Sequence, residues 1–182
     1  MGIVLANAGI PMIFWQMPVA AAALLPVVVV ETLIAWPILR QRFLPVVWNV
    51  FTANAISTFA GIPLAWIGMV IVNLVTTGGT VHEFRTPMAA FKSTVLQSSW
   101  LIPYESQILF WLVPFATLVL LVPYFFVSVF VERWWLRRRF REVGVARVAT
   151  AAWIANVITY GGLAIYTVFW LRRALVGEAA AG

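Results

Sequence analysis

Four long apolar stretches, separated by short polar segments, limit the fold of this chain more than any other feature of its sequence. They run from Pro11 to Leu39, Val46 to Thr77, Gln107 to Val131 and Val148 to Leu171. Each is long enough for a helix that crosses a bilayer, which takes about 20 apolar residues. Only 10% of the 182 residues are charged, whereas about 25% is usual in a soluble domain. We therefore predict an all-α membrane protein with four transmembrane helices in one domain, residues 1–182.

The residue types that the sequence lacks exclude several kinds of site. There is no Cys, no Asp and a single His, His82. A disulfide, a thiolate metal site, a haem held by two histidines, a zinc centre and a Ser-His-Asp triad each require residues that are missing here. The sequence therefore indicates no catalytic set and no metal site. Any cofactor is left open, and lipids are the expected bound molecules.

Basic residues lie beside the apolar stretches and give a formal net charge of +6. Because cytoplasmic loops carry the excess of Lys and Arg in membrane proteins, we predict both short connections in the cytoplasm and both chain ends outside it. Anionic lipid headgroups are the expected counterpart of this charge, and nucleic acid is not. The two connections hold eight of the twelve basic residues: Arg40, Arg42, Arg133, Arg137, Arg138, Arg139, Arg141 and Arg147. The opposite side holds Arg85, Lys92, Arg172 and Arg173.

The middle loop, residues 78–106, is too polar to span the membrane. Thr86-Pro87 is typical of a helix start, and apolar residues recur at helical spacing after it. We predict a short helix lying on the outer interface of the membrane. The loop combines aromatic and charged residues outside the bilayer, so we expect Phe91 and Trp100 to contact a partner protein.

An internal duplication is indicated by landmarks that return in the same order. Glu31 and Glu132 each follow Val and precede an arginine-bearing turn, and Asn54 and Asn156 each lie in an Ala-Asn block further on. We predict two helical hairpins, residues 10–61 and 102–162, linked by the outer loop. Because the first and third spans run in the same direction, an axis along the membrane normal would relate these parallel repeats.

The repeated polar and small residues have two interpretations. Ser57, Gly61 and Thr159 lie on narrow helix faces that allow neighbouring helices to approach closely. An intramembrane carboxylate such as Glu31 is by default a candidate functional group. The structural alternative, which we favour from sequence, is that Glu31 and Glu132 pair with nearby arginines or accept a hydrogen bond from Asn54 and Asn156 of their own repeats.

Short strings across most of the chain resemble an uncharacterised family of small bacterial membrane proteins. The resemblance implies the bacterial inner membrane and carries no activity, cofactor or site. The strings are Ile10-Pro11-Met12-Ile13-Phe14, Asn54-Ala55-Ile56-Ser57-Thr58, Trp100-Leu101-Ile102-Pro103-Tyr104-Glu105 and Pro123-Tyr124-Phe125-Phe126-Val127-Ser128.

Three classes of function are compatible with these features. A non-catalytic accessory, assembly or organising subunit of a larger bacterial membrane complex needs only packing faces and aromatic surface, and it is our first expectation. Its partners would be other integral membrane subunits. A small oligomeric transporter or channel that uses the intramembrane Glu31 is the alternative. A membrane enzyme acting on lipid or quinone comes third, because no nucleophile and base are paired in the sequence.

Overall fold

Helices long and apolar enough to cross a membrane make up most of the described chain, which confirms the predicted all-α membrane fold. The computed structural model describes residues 10–77, 94–96, 98–101 and 111–181. Helix α1 is Met12–Leu39, and the second span comprises α2, Phe43–Ile56, a π-helical turn, Ser57–Gly61, and α3, Ile62–Thr77. Helices α4, Leu112–Arg139, and α5, Val145–Ala181, form the third and fourth spans.

The helices extend beyond the predicted spans at the end that carries the short connections. Helix α4 continues through Arg137, Arg138 and Arg139, which are good helix formers, and α5 begins at Val145. Only three residues then separate α1 from α2, and Arg40 closes α1 in the left-handed conformation with a φ of 54°. The connections are therefore tight turns between antiparallel helices. We call this end of the bundle the arginine end and the opposite one the loop end.

The four spans pack as a square in which each span contacts the two beside it. Helix α1 packs against α2 and α5, and α4 packs against α5 and the second span. Two apolar clusters lie inside the square, one toward each end. The cluster at the arginine end includes Val28, Ala35, Leu39, Val46, Val50, Leu136, Phe140 and Val148, and the one at the loop end includes Met12, Ile62, Ala65, Val113, Ala116, Leu120 and Tyr124.

The second span contains a π-helical turn, Ser57–Gly61, which ends shortly before a proline. The backbone N–H of Ile62 donates to the carbonyl of Ser57, five residues earlier, and Pro63 follows with no N–H to donate. Gly61 ends the turn against α4, where a Cβ atom on Gly61 would lie 2.7 Å from Cγ1 of Val127. A larger residue at position 61 would therefore separate these two helices.

The end of the middle loop packs against the loop end of the bundle. Residues 100–101 form a two-residue strand, β2, antiparallel to β1 at residues 10–11. The indole N–H of Trp66 donates to the carbonyl of Ser99 at 2.7 Å, and the amide of Asn73 donates to that of Leu96 at 2.8 Å. Most of the predicted interfacial helix, with Phe91, and the side chain of Trp100 lie outside the described residues.

Candidate functional site

A carboxyl group from α1 is buried in the middle of the bundle and bound by α2. Glu31 is 1% exposed, and Nδ2 of Asn54 donates to its Oε2 at 2.6 Å. The same Nδ2 also donates to the carbonyl of Val50 on its own helix at 3.1 Å. The Asn54 side chain is therefore fixed on α2 and connects the two helices of the first hairpin.

The second hairpin contains the same arrangement. Glu132 of α4 is 3% exposed and accepts a hydrogen bond at 2.6 Å from Nδ2 of Asn156, which is fully buried on α5. Nδ2 of Asn156 also donates to the carbonyl of Ala152, four residues earlier, at 3.0 Å. Each glutamate therefore accepts the hydrogen bond from its own hairpin that the structural alternative predicts.

One contact differs between the two hairpins. The hydroxyl of Thr159 on α5 donates to Oε1 of Glu31 at 2.8 Å, so that the second hairpin binds the glutamate of the first. Ser57 is at the corresponding position, three residues after Asn54, but its hydroxyl donates at 3.0 Å to the Asn54 carbonyl on its own span. Glu31 consequently has a donor on each oxygen, whereas Glu132 has a donor on Oε2 alone.

The two carboxyl groups lie side by side in the centre of the square. Asn156 and Thr159 are three residues apart on one face of α5, and they bind Glu132 and Glu31 respectively. The carboxyl groups come close enough to share a hydrogen bond. Two full charges 4 Å apart would repel by about 4 kcal/mol at an effective dielectric constant of about 20.

Arginine does not compensate this pair within the described part of the chain. The side chains that donate hydrogen bonds there to Glu31 and Glu132 are Asn54, Asn156 and Thr159, all uncharged. Expected ion pairs with arginine are therefore absent among the described residues. Arg138 and Arg139 instead stack on the rings of Trp134 and Trp135 at the arginine end.

Polar side chains continue along α4 from the carboxyl pair toward the loop end. Tyr124, Ser128 and Glu132 recur every four residues and thus share one face of the helix. Ser128 and Tyr160 of α5 share a hydrogen bond between hydroxyls at 2.8 Å. Tyr124 donates to Oε1 of Gln16 on α1. This polar row connects the carboxyl pair to the loop-end half of the bundle.

A cavity of about 520 Å³ lies beside this polar row. It extends on α5 from Thr159 to Trp170, which at 1.5 Å per residue is about 16 Å along the helix. Asn54, Ser57 and Thr159 form its end nearest the carboxyl pair, and Gln16 and Trp170 lie toward the loop end. Apolar residues line much of the space between these ends: Val19, Ala20, Ala23, Leu24, Val27, Ile62, Leu121 and Leu163.

Two lining residues indicate where the cavity opens. Val19 of α1 and Tyr166 of α5 both line the cavity, and yet 56% and 71% of their surfaces are exposed. Both lie within the helices long and apolar enough to cross a membrane. The cavity therefore opens sideways, between α1 and α5 and within the lengths of these two spans.

Some buried polar atoms at the site have no partner among the described residues. Gln16 is 7% exposed, lines the cavity and has an unpaired donor, Nε2. Oε1 of Glu132 and Oδ1 of Asn156 are also unpaired. A buried donor without an acceptor is costly, so Nε2 of Gln16 is a ready partner for an acceptor atom of a bound molecule.

The structure brings the polar residues singled out from sequence into one region. Glu31, Asn54, Glu132, Asn156 and Thr159 form the hydrogen-bonded centre. Ser57 lines the cavity, whereas Gly61 packs against α4. Sequence reasoning missed Gln16, Tyr124, Ser128 and Tyr160, although the four-residue spacing from Tyr124 through Ser128 to Glu132 is visible in the sequence.

Comparison with known proteins adds no further assignment. The chain matches no protein family model, no curated protein and no solved structure. The described residues also contain no group of three or more His, Cys, Asp or Glu side chains that could hold a metal ion. The chemistry of the site must therefore be argued from its own side chains.

Proposed function

We propose that this chain is a small membrane carrier that binds one lipid-soluble molecule between its helices. The cavity is the observation that carries the proposal, because its volume of about 520 Å³ falls within the range of small-molecule sites, about 300–1,000 Å³. All four spans of a single chain line it. This is the transport alternative expected from the intramembrane Glu31, and the cavity now favours it over the accessory role.

The lining defines the chemistry of the molecule. Apolar walls along about 16 Å suit a single hydrocarbon chain, and the sideways opening admits it from the bilayer. The unpaired donor of Gln16 suits a polar group that accepts a hydrogen bond. A long-chain alcohol, ester or ketone combines these features.

Two neighbouring alanines of α1 provide a matched test of binding. Ala23 lines the cavity, whereas the adjacent Ala22 is exposed on the outside of the helix. We expect Ala23→Phe to fill the space and to lower binding of oleyl alcohol at least ten-fold. Ala22→Phe should bind as the wild type does. Native mass spectrometry of the protein in mild detergent measures the bound alcohol directly.

Movement of the molecule requires a second assay. Proteoliposomes that contain the wild type should exchange a fluorescent single-chain alcohol between leaflets faster than those with Ala23→Phe, which lacks room for it. Equal binding of oleyl alcohol by Ala23→Phe and Ala22→Phe contradicts the proposed site. If the wild type binds the alcohol but does not speed its exchange between leaflets, the chain binds lipid without carrying it, and the carrier proposal is wrong.

An accessory subunit of a larger membrane complex is the second proposal. The observation in its favour is the apolar face that the second span directs away from the bundle: Phe43, Leu44, Trp48, Phe51, Phe59, Leu64, Ile67 and Ile71 are all exposed. Another membrane subunit would cover this face by close packing. Because the sequence also predicts that Phe91 and Trp100 of the middle loop contact that subunit, Phe91→Ala combined with Trp100→Ala should reduce its co-purification. A chain that purifies alone and exchanges the alcohol argues against the accessory role.

For the location and the evolutionary history of the chain, we propose what the sequence predicts. We propose the bacterial inner membrane, with the arginine end in the cytoplasm, both chain ends outside and anionic lipids bound by the exposed arginines. We also propose that residues 10–61 and 102–162 arose by duplication. The matching bonds from Asn54 to Glu31 and from Asn156 to Glu132, both at 2.6 Å, support this origin.

A further inference from the structure

We propose that Glu31 and Glu132 form a proton-binding site, in which Glu132 holds the proton and donates it in a hydrogen bond to the carboxylate of Glu31. The pair lies on facing sides of the bundle, one residue from each hairpin, and is almost completely buried. The proton site stands on this geometry alone. Only its link to the cavity, described below, rests on the proposed function.

The hydrogen-bond donors around the pair assign the proton to one partner. An ionised carboxylate only accepts hydrogen bonds, and Glu31 receives one on each oxygen, from Asn54 and Thr159. Glu132 receives one from Asn156 on Oε2, while its Oε1 receives none from the described residues. An oxygen without a donor suits a protonated acid, which has a hydrogen of its own to donate.

The surroundings of the pair favour one shared proton over two charges. Like carboxyls in contact do not both ionise readily, and burial penalises each charge further. The other titratable groups facing the pair from the described helices are the phenols of Tyr160 and, beyond it, Tyr124. Neither supplies a positive charge that would allow Glu31 and Glu132 to ionise together.

The proton site is linked to the cavity through two side chains. Asn54 and Thr159 both donate to Glu31 and both line the end of the cavity nearest the pair. A molecule whose polar group binds Gln16 places its hydrocarbon chain at this end, where the chain excludes water from Asn54 and Thr159 and so changes the surroundings of the Glu31 carboxylate. Occupancy of the cavity would then change how the pair holds its proton.

Infrared spectroscopy tests the assignment, because the C=O stretch of a protonated acid is resolved from that of a carboxylate. We expect the wild type at neutral pH to show the band of one buried acid. Glu132→Gln should lose this band completely, whereas Glu31→Gln should keep it with a shift in frequency. Glu142→Gln, at an exposed position, is the matched control and should leave it unchanged. Circular dichroism shows whether each variant keeps its helices.

Each other outcome overturns the proton site. It fails if the wild type has no acid band, if Glu31→Gln loses the band, or if Glu132→Gln keeps it. If Glu132→Gln does not fold, Glu31→Gln still decides. The link to the cavity is measured separately with oleyl alcohol, which has no C=O group of its own. Added alcohol should shift the band in the wild type but not in Ala23→Phe, and equal responses contradict the link without affecting the proton site.

Discussion

The Thr159 hydroxyl donates to Oε1 of Glu31 at 2.8 Å and so binds the fourth span to the first. Ser57, its counterpart in the first hairpin, bonds only to its own span. This difference makes the two otherwise similar hairpins unequal at their centre. Glu31 and Glu132 therefore have unequal numbers of donors, although both are buried at the same contact.

Removal of the Thr159 hydroxyl tests this inequality. Thr159→Val keeps the shape of the side chain but removes a donor from a carboxylate, so we expect a loss of about 1 to 2 kcal/mol in the free energy of unfolding. Ser57→Ala should cost only a few tenths of a kcal/mol, because its bond stays within one span. Denaturant titration in detergent micelles gives both values. Equal losses would show that the contact between hairpins adds nothing.

The two asparagines provide a second comparison. A hydrogen bond to a charged group contributes about 1.5–3 kcal/mol to the free energy of unfolding, whereas one between neutral groups contributes about 0.5–1.5 kcal/mol. If Glu31 is the carboxylate, Asn54→Leu should destabilise the fold by about 2 kcal/mol and Asn156→Leu by about 1 kcal/mol. Asn49→Leu is the control, because the Asn49 amide bonds only to Pro45 of its own helix. The reverse order would place the charge on Glu132.

Close packing against α4 explains why position 61 is a glycine. Its missing Cβ leaves room for Val127 of α4, a β-branched side chain that turns little. Gly61→Ala should therefore lower the free energy of unfolding by about 1 to 3 kcal/mol. Gly68→Ala, with no atom within 4 Å of the new methyl group, should be neutral or stabilising. Val127→Ala should restore stability to Gly61→Ala, and failure to do so would exclude the clash as the cause.

The orientation of the bundle can be measured on the native sequence, which has no cysteine to remove. Thr76 is exposed at the loop end and Arg141 at the arginine end. In intact cells an impermeant maleimide should label Thr76→Cys, whereas Arg141→Cys should react only after the membrane is opened. The opposite pattern would place the arginine end outside, against the distribution of basic residues.

The sequence predicts the spans and the hairpin contacts because both depend on local patterns. Apolar length gives the four helices, and the ordered return of Glu and Asn places Asn54 near Glu31 and Asn156 near Glu132. The meeting of Glu31 with Glu132 was not predicted, since it depends on how the two hairpins pack. The cavity was missed for the same reason. Small side chains such as Ala20 and Ala23 indicate space only once their neighbours are known.

We infer that Glu31 and Glu132 meet at the inner end of a cavity that opens between α1 and α5, and solid-state NMR in bilayers can detect this contact itself. The chain has six acidic residues, all glutamates, so carbon-13 labelling of glutamate and nitrogen-15 labelling of asparagine give few signals. We expect contacts from Asn54 to Glu31 and from Asn156 to Glu132, together with a contact between the carboxyl carbons of Glu31 and Glu132. Contacts within each hairpin without the contact between the carboxyl carbons would show that the two hairpins do not meet at these glutamates.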